Sequence, residues 1–415
     1  MTNFIKNYFP YLLPLLLIFS RSIADITIVL ISVSFLYFSY KSLGWEWLKE
    51  KWFCFAMVFA IYCLTINSSM SINSLESISY SIFFFRWPIF AMALSYWVLS
   101  DLESLKKFLF STTIILIFLI FDTWWQFIFG KDIFGFEVYL TDPLRLTGPF
   151  KDNPHIGAWI SKIVALPPLF LILYDKIKTQ KHQNYFIYSF FIISTILFLT
   201  VFITGERMAL LLILASIFII FVGLIFDGAL SIKKVSLLFT CSLLSIIVFS
   251  YFFPNVTDRA FFSTIDKIVN WKTSDYGLIW HGAYDVWMQS PFFGVGLHKY
   301  KEACDLLIPG TLSLNLSDFS CGMHPHNISL QLLTETGAIG FLLFYLIIFT
   351  LAISSLKVYF ERKLWLSSAL VFNVIFTCFL PIASNTSFFS NKYGALVWLL
   401  VGVMLATNRL FSKSI

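Results

Sequence analysis

Charge is what this sequence has least of: Asp, Glu, Lys and Arg together make up 13% of 415 residues, against roughly a quarter in soluble globular chains. That scarcity excludes a soluble domain. No tract of Lys and Arg is dense enough to follow a nucleic-acid backbone, so no nucleic-acid partner is expected. The segments between apolar runs carry no Asp-Asp or Asp-x-Asp pair that would signal a divalent cation on a phosphate. His and Cys lack zinc-site clustering, and no Walker loop, dinucleotide fingerprint or nucleophile elbow occurs. No metal and no cofactor is therefore expected. Also missing are a Gly/Ser or Pro-rich linker, an internal repeat, and the paired Gly/Pro-interrupted helices typical of secondary transporters. No small-residue cleavage site follows the first apolar run, which is expected to stay as a span.

What is abundant is apolar surface. Hydrophobic residues make up 58% of the chain, aromatics 19%, and Phe alone occurs 49 times. Apolar runs of about 18 to 22 residues recur along the whole length, the span that a bilayer core requires. A barrel would show alternating segments of about 10 residues instead. The expected fold is all-α: a polytopic membrane protein of about twelve helices, at roughly 8–20, 23–40, 52–67, 78–99, 105–124, 154–174, 185–203, 207–226, 234–253, 326–351, 364–382 and 391–408. It divides into 1–253 with nine spans, a long polar segment 254–325, and 326–415 with three, all in one integrated membrane domain. The polar segment holds two amphipathic stretches, near 258–270 and 278–290, followed by a turn at Pro291–Gly296.

Lys and Arg gather in cytoplasmic loops. With the N-terminus inside, the inner segments hold sixteen of them, and the opposite short loops hold six: Arg21, Lys131, Arg145, Lys151, Arg207 and Lys392. Both termini are thus expected in the cytoplasm and 254–325 outside. Cys304 and Cys321 are the two cysteines of that segment. A bridge between them would close a loop of about 15 residues, worth ~3 kcal/mol, in an oxidising compartment such as a periplasm; the alternative is two free thiols.

Candidate chemistry centres on His324-Pro325-His326-Asn327-Ile328-Ser329-Leu330, where the long segment enters the tenth span. Pro325 suits the first position of a helix, which would put His326 in the first turn, near the positive end of the helix dipole. A positive environment keeps an imidazole neutral and able to accept a proton. His326 is then either a general base or a capping residue, and His324 sits at the cap itself. Arg207 lies at membrane depth in Thr204–Ala209 and Arg145 in a loop shaped by Gly148, Pro149 and Pro154, with Lys151 beside it. Guanidinium geometry suits a phosphate. The plainer readings are a pairing of Arg207 with Glu206, snorkelling, or a solvated loop Arg. Arg86 and Lys162 are placed within the bilayer, where cations are functional candidates; Arg86 either faces an internal cavity holding a polyanionic headgroup or pairs with a carboxylate such as Asp122.

The run His324–Gly340, with Gly294-Val295-Gly296 and Cys321 before it, resembles the C-terminal signature of the O-antigen ligase and polymerase superfamily. Arg145 to Asn153-Pro154 is similar to that family's motif before a span, and Thr204–Ala209 to its short turn. The resemblance implies a GT-C type membrane glycosyltransferase with one large periplasmic loop between helices 9 and 10, in a bacterial inner membrane, its active site periplasmic. It implies metal-independent transfer of a glycan from undecaprenyl diphosphate to an acceptor hydroxyl, such as a lipid A-core sugar, with inversion. His326 would be the base, and Arg207 and Arg145 diphosphate ligands; Arg86, His324, Asn327 and Lys151 are further substrate-binding candidates. The partners implied are a lipid-linked glycan donor, a lipid or glycolipid acceptor, and membrane lipids. Alternatives are a polymerase of the same superfamily, a protein O-oligosaccharyltransferase, or a transporter or flippase. The sequence departs from the family at Ser274–Ala283, where an Arg precedes the Trp-x-x-Ala of many members; Arg259, Lys272, His281 and Arg145 are the candidate substitutes. His155 stands where the family has Asn.

Overall fold

The structure, a computed structural model, describes residues 2–139, 145–151, 153–169, 180–228, 246–307, 324–382 and 386–413, together with 236, 240 and 244. Among these residues the chain is helical, with no strand beyond two isolated antiparallel bridges, Lys131 with Glu137 and Tyr139 with Arg145. Six helices are long and apolar enough to cross a bilayer: α2 (Arg21–Leu43), α4 (Ser74–Val98), α5 (Leu102–Phe129), α8 (Arg207–Phe226), α12 (Ile328–Glu361) and α14 (Asn391–Phe411). Shorter apolar helices accompany them: α1 (Phe4–Phe19), α3 (Lys51–Asn67), α6 (Ile156–Leu169), α7 (Ile187–Ile203) and α13 (Trp365–Phe379). The protein is a multi-pass membrane protein. Most of the expected ninth span lies outside the described residues, which resume with a helical stretch at 246–252.

The bundle is tied by a few extensive pairings: α8 with α13, α3 with α12, α1 with α2, and α14 against the second half of α4. α14 is the most enclosed of the six long helices. Its Gly402 faces Leu94 so closely that a Cβ there would meet the Leu94 side chain at 2.6 Å. Small residues of this kind let helix backbones approach where no hydrophobic gain drives association. α4 breaks at Phe85, after which Arg86 begins a new helical segment. Pro88 explains the break, since it has no N–H for the carbonyl one turn back.

The amphipathic stretches of 254–307 fold as expected into short helices: one turn at Pro254–Thr257, π-helical Asp258–Phe262, α9 (Ser263–Val269), α10 (Asp275–Gln289) and α11 (Tyr300–Leu307). Cys304 is buried and disulfide-bonded; Cys321 lies outside the described residues. Cys63 and Cys378 are free and buried, and Cys54 is free and exposed.

The turn after α10 docks into a break in α12. Gly337 has φ 67° and ψ −178° inside that helix, so the carbonyls before it lose their helical partners. The loop replaces them: Val295 N donates to Thr334 O at 2.9 Å and Gly296 N to Glu335 O at 3.0 Å, while Ala338 N donates to Pro291 O at 2.8 Å. From α3, Asn67 Nδ2 donates to Glu335 O at 2.8 Å and the Tyr62 hydroxyl to Thr336 O at 2.8 Å. Lys299 Nζ, buried, pairs with Glu302 at 2.8 Å and with Glu76 of α4. Unsatisfied backbone groups at membrane depth cost several kcal/mol each, and this junction leaves few.

Glycine is required there by space as well as by conformation. A Cβ on Gly337 would lie 2.2 Å from Phe292 O. Gly337→Ala is expected to destabilise the protein by about 2 kcal/mol or more. Gly44 has φ 78°, and a Cβ there would meet nothing within 4 Å, so Gly44→Ala carries only backbone strain of about 1 kcal/mol. Thermal unfolding of the two purified variants in detergent checks this, and equal losses would remove the packing argument.

Candidate functional site

The site is assembled at the end of the bundle where α6, α8 and α12 begin. α5 supplies its floor through Gln126, a buried side chain that holds the loop before α6. Its Oε1 accepts from Thr147 N and Gly148 N, both at 2.9 Å, and its Nε2 donates to Thr147 Oγ1 at 3.0 Å. Tyr139 and Arg145 close a small hairpin below by two backbone hydrogen bonds. Arg145 thereby projects from a fixed backbone. Its Nη2 donates to Pro154 O at 3.2 Å, and its Nε is buried with no hydrogen-bond partner.

Glu206 fixes α6 against α8. Its carboxylate accepts from Gly157 N at 2.6 Å and Ala158 N at 3.2 Å, capping the helix that starts at Ile156. A negative group at this end is favoured by the free N–H groups and the helix dipole. Burial raises its pKa to about 7, against the lowering effects of Arg145, the two backbone N–H donors and Lys162. Among the described contacts Glu206 turns to α6 and Arg207 away from it, in place of the Glu206–Arg207 pairing considered above. Arg207 Nε donates to Arg259 O at 3.2 Å and its Nη2 to Ser263 Oγ, while Arg259 Nε donates to Gly205 O at 2.9 Å.

Three guanidiniums thus gather from three separate segments. Burial and the neighbouring Arg145 and Arg207 lower the Arg259 pKa to about 10, with Tyr276 and Glu206 acting in the opposite direction. Arg207 itself lies in the field of Tyr276, Arg145 and Asp275. Tyr276, in the first turn of α10, packs edge-on against the His326 ring with centroids 5.9 Å apart. His326 in turn stands 4.0 Å from His324. One tyrosine therefore lies between the imidazoles and the guanidiniums.

The helix start differs from the expected one. Asn327 is the N-cap of α12, its side-chain oxygen accepting from Leu330 N at 3.1 Å. Asn caps because its short side chain reaches the free N–H groups of the first turn. Pro325 is thus outside the helix, and His326 precedes the cap with φ 50° rather than lying in the first turn; His324 is farther out still. Such a backbone is uncommon for a residue with a Cβ, and it marks a position held by its surroundings. His324 has its Nε2 buried and unpartnered. Burial above all, then His326 and His155, lower its pKa to about 3, so it is neutral at physiological pH. His155, the N-cap residue of α6, is lowered to about 3 by burial and by Lys392, Arg145, Arg21 and Lys162.

The other sequence candidates fall elsewhere. Asn327 is occupied as a cap. Lys151 is exposed, its Nζ 5.5 Å from the Phe136 ring centroid. Arg86 pairs with Asp25 at 3.2 Å, not with Asp122, and donates to Asn391 at 2.7 Å; the Asp122 carboxylate instead accepts from Ile133 N at 3.0 Å. Of the residues weighed to replace the loop Arg, Arg259 and Arg145 join the cluster. His281 is exposed and pairs with Asp285 at 3.1 Å, and Lys272 is exposed. Sequence reasoning missed Tyr276 and the capping role of Glu206. The tight Gly205-Glu206-Arg207 turn and the small Gly157 were the available signal: a Cβ at Gly157 would meet Thr204 Oγ1 at 2.6 Å. Among the described residues no three His, Cys, Asp or Glu side chains converge to hold a metal. The arrangement suits an anion, which the guanidiniums would hold, near two imidazoles.

Residues 190–345 match the family described as O-antigen ligase. That stretch includes Arg207, Arg259, Tyr276, His324 and His326. No curated protein matches the chain.

Because the folded pKa of Glu206 lies above its ordinary value of 4.5, the folded state holds its proton more tightly than the unfolded state does. Its contribution to stability is then lost as pH rises from about 4.5 to about 7. The stability of the wild type relative to Glu206→Gln is expected to fall across that window, measured as apparent melting temperature at each pH. A difference that stays flat would show that the carboxyl does not titrate there.

Proposed function

We propose, from the match of residues 190–345 to the O-antigen ligase family, that this protein transfers a glycan from a polyprenyl diphosphate to an acceptor hydroxyl. The convergence of Arg145, Arg207 and Arg259 on one side of Tyr276, with His326 on the other, is the observation that carries the reading. Three cations this close repel one another, so a diphosphate entering between them relieves the repulsion and is gripped by charge-assisted hydrogen bonds. The unpartnered Nε of Arg145 offers it a free donor.

In the proposed step the acceptor oxygen attacks the anomeric carbon and the carbon–oxygen bond to the diphosphate breaks. His326 takes the hydroxyl proton, and the diphosphate leaves with the bonding pair. Charge develops on the leaving group, where the guanidiniums stabilise it most. Attack opposite the leaving group inverts the anomeric centre. The neutral, half-buried His324 beside His326 adds no positive charge that would oppose proton uptake. Glu206 holds α6, and with it the Arg145 loop, in register with Arg207. Donor binding is thus assigned to Arg207, Arg145 and Arg259, with Arg259 taking the place of the missing loop Arg. The donor, on this reading, is undecaprenyl-linked, the acceptor a lipid A-core sugar or similar glycolipid, and the reaction takes place on the periplasmic side of a bacterial inner membrane. A lipid-linked glycan as acceptor would make the same site a polymerase.

His326→Ala is expected to lower transfer by about 10²–10⁴-fold, the range for a lost general base. Arg207→Ala and Arg259→Ala should each lower kcat/KM by about 10²-fold, with expression and membrane insertion unchanged. Lys272→Ala should be silent. The measurement is glycan transfer by the purified protein in detergent, where no sealed membrane exists and transport would give no signal. Undiminished transfer by His326→Ala would reject the assignment.

A further inference from the structure

Beside the loop that carries Phe150 and Lys151 lies an open cavity of about 360 Å³, within the size range of small-molecule sites. It sits between the turn joining α1 to α2, the 131–139 hairpin, and Gly148–Asn153. Phe19, Phe134, Phe136 and Phe150 line one part of it, and Arg21 and Lys151 the other. Phe19 and Phe134 meet edge-on at 5.4 Å yet remain 46% and 51% exposed, so the cavity is not closed by its own aromatic wall.

Neither Arg21 nor Lys151 forms an ion pair among the described residues. Lys392, whose Nζ stands 4.7 Å from the Phe150 ring centroid, lines a separate small cavity with His155 and Lys162 and lies in the field of Glu206. Its charge and that of Arg21 are both felt at His155. α2 also begins at this cavity, and its N-cap residue Ser20 makes no side-chain capping bond. That end of α2 favours an anion.

We infer that this cavity binds an anionic saccharide, its ring faces on the phenylalanines and its phosphate or carboxylate on Arg21 and Lys151. A purely apolar chain would leave the cations unmatched, and a free phosphate would leave the aromatic wall bare. A sugar bearing a charged group satisfies both halves. Given the transfer reaction proposed above, on which this assignment of a role rests, the ligand is the acceptor. The loop carrying Phe150 and Lys151 continues directly into Asn153, Pro154 and His155, so a glycan seated here extends toward the donor site.

The probe is one oligosaccharide in two forms, maltotriose and its 6-phosphate, titrated calorimetrically into purified protein in detergent, with dihexanoyl-phosphatidylglycerol as the lipid comparison. The phosphorylated sugar is expected to bind at least about tenfold more tightly than the neutral one. Arg21→Ala and Lys151→Ala, both at exposed positions, should each abolish that preference, and Phe134→Ala should weaken both sugars. Equal binding of the two sugars, or a preference that survives both cation variants, would overturn the inference. So would lipid bound in preference to sugar, which would make the cavity a headgroup site. Wild type that binds the phosphorylated sugar preferentially but transfers no glycan would reject the transfer reading and keep the cavity, whereas transfer without that preference would reject the cavity alone.

Discussion

A polar backbone inside a bilayer has to be hydrogen-bonded, and the break at Gly337 in α12 is where this protein meets that demand. Ending the helix there frees the Thr334, Glu335 and Thr336 carbonyls, and the loop 291–296 binds them together with Asn67 and Tyr62 of α3. The consequence extends well beyond the break. The same loop carries the chain from α10 to α11, so docking it places Tyr276 against His326 and holds the buried, disulfide-bonded Cys304 nearby. It also sets the short first part of α12 apart from the long remainder, and that first part carries the histidines at its entry.

The second governing effect is concentrated positive charge. Arg145, Arg207 and Arg259 come from a hairpin loop, a helix start and a short π-helical turn. Among the described contacts they reach backbone oxygens: Arg207 to Arg259 O, Arg259 to Gly205 O, Arg145 to Pro154 O. Carbonyl oxygens orient a guanidinium without cancelling its charge. The buried acid nearby, Glu206, points two oxygens at the α6 backbone. Three guanidiniums this close concentrate positive charge at this end of the bundle.

Residue order made much of this readable. Long apolar runs separated by short polar turns place the helices, because bilayer thickness sets their length, and most expected spans coincide with described helices. The amphipathic stretches of 254–307 were visible for the same reason. The histidine run and Arg207 also stood out as candidates, since charged and titratable side chains at membrane boundaries are rare. Helix starts were less so: Pro325 is an acceptable first residue, but Asn327 competes for the cap and its side-chain hydrogen bond to Leu330 N wins. Arg86 was considered for a pairing with Asp122 and pairs with Asp25; nothing in sequence order says which carboxylate packs beside it.

Composition and periodicity by themselves determined the solvent this protein folds in, the approximate ends of its helices and the residue types available for chemistry, since each depends on local transfer energy. Tertiary structure alone decided which of those residues meet. Arg259 and Arg145 lie beside Arg207 while Lys272 and His281 are exposed, and Tyr276 and Glu206 are brought close to them. These outcomes depend on packing between segments distant in the chain, on the break at Gly337 and on the close approach at Gly157, where a few tenths of an ångström decide what fits.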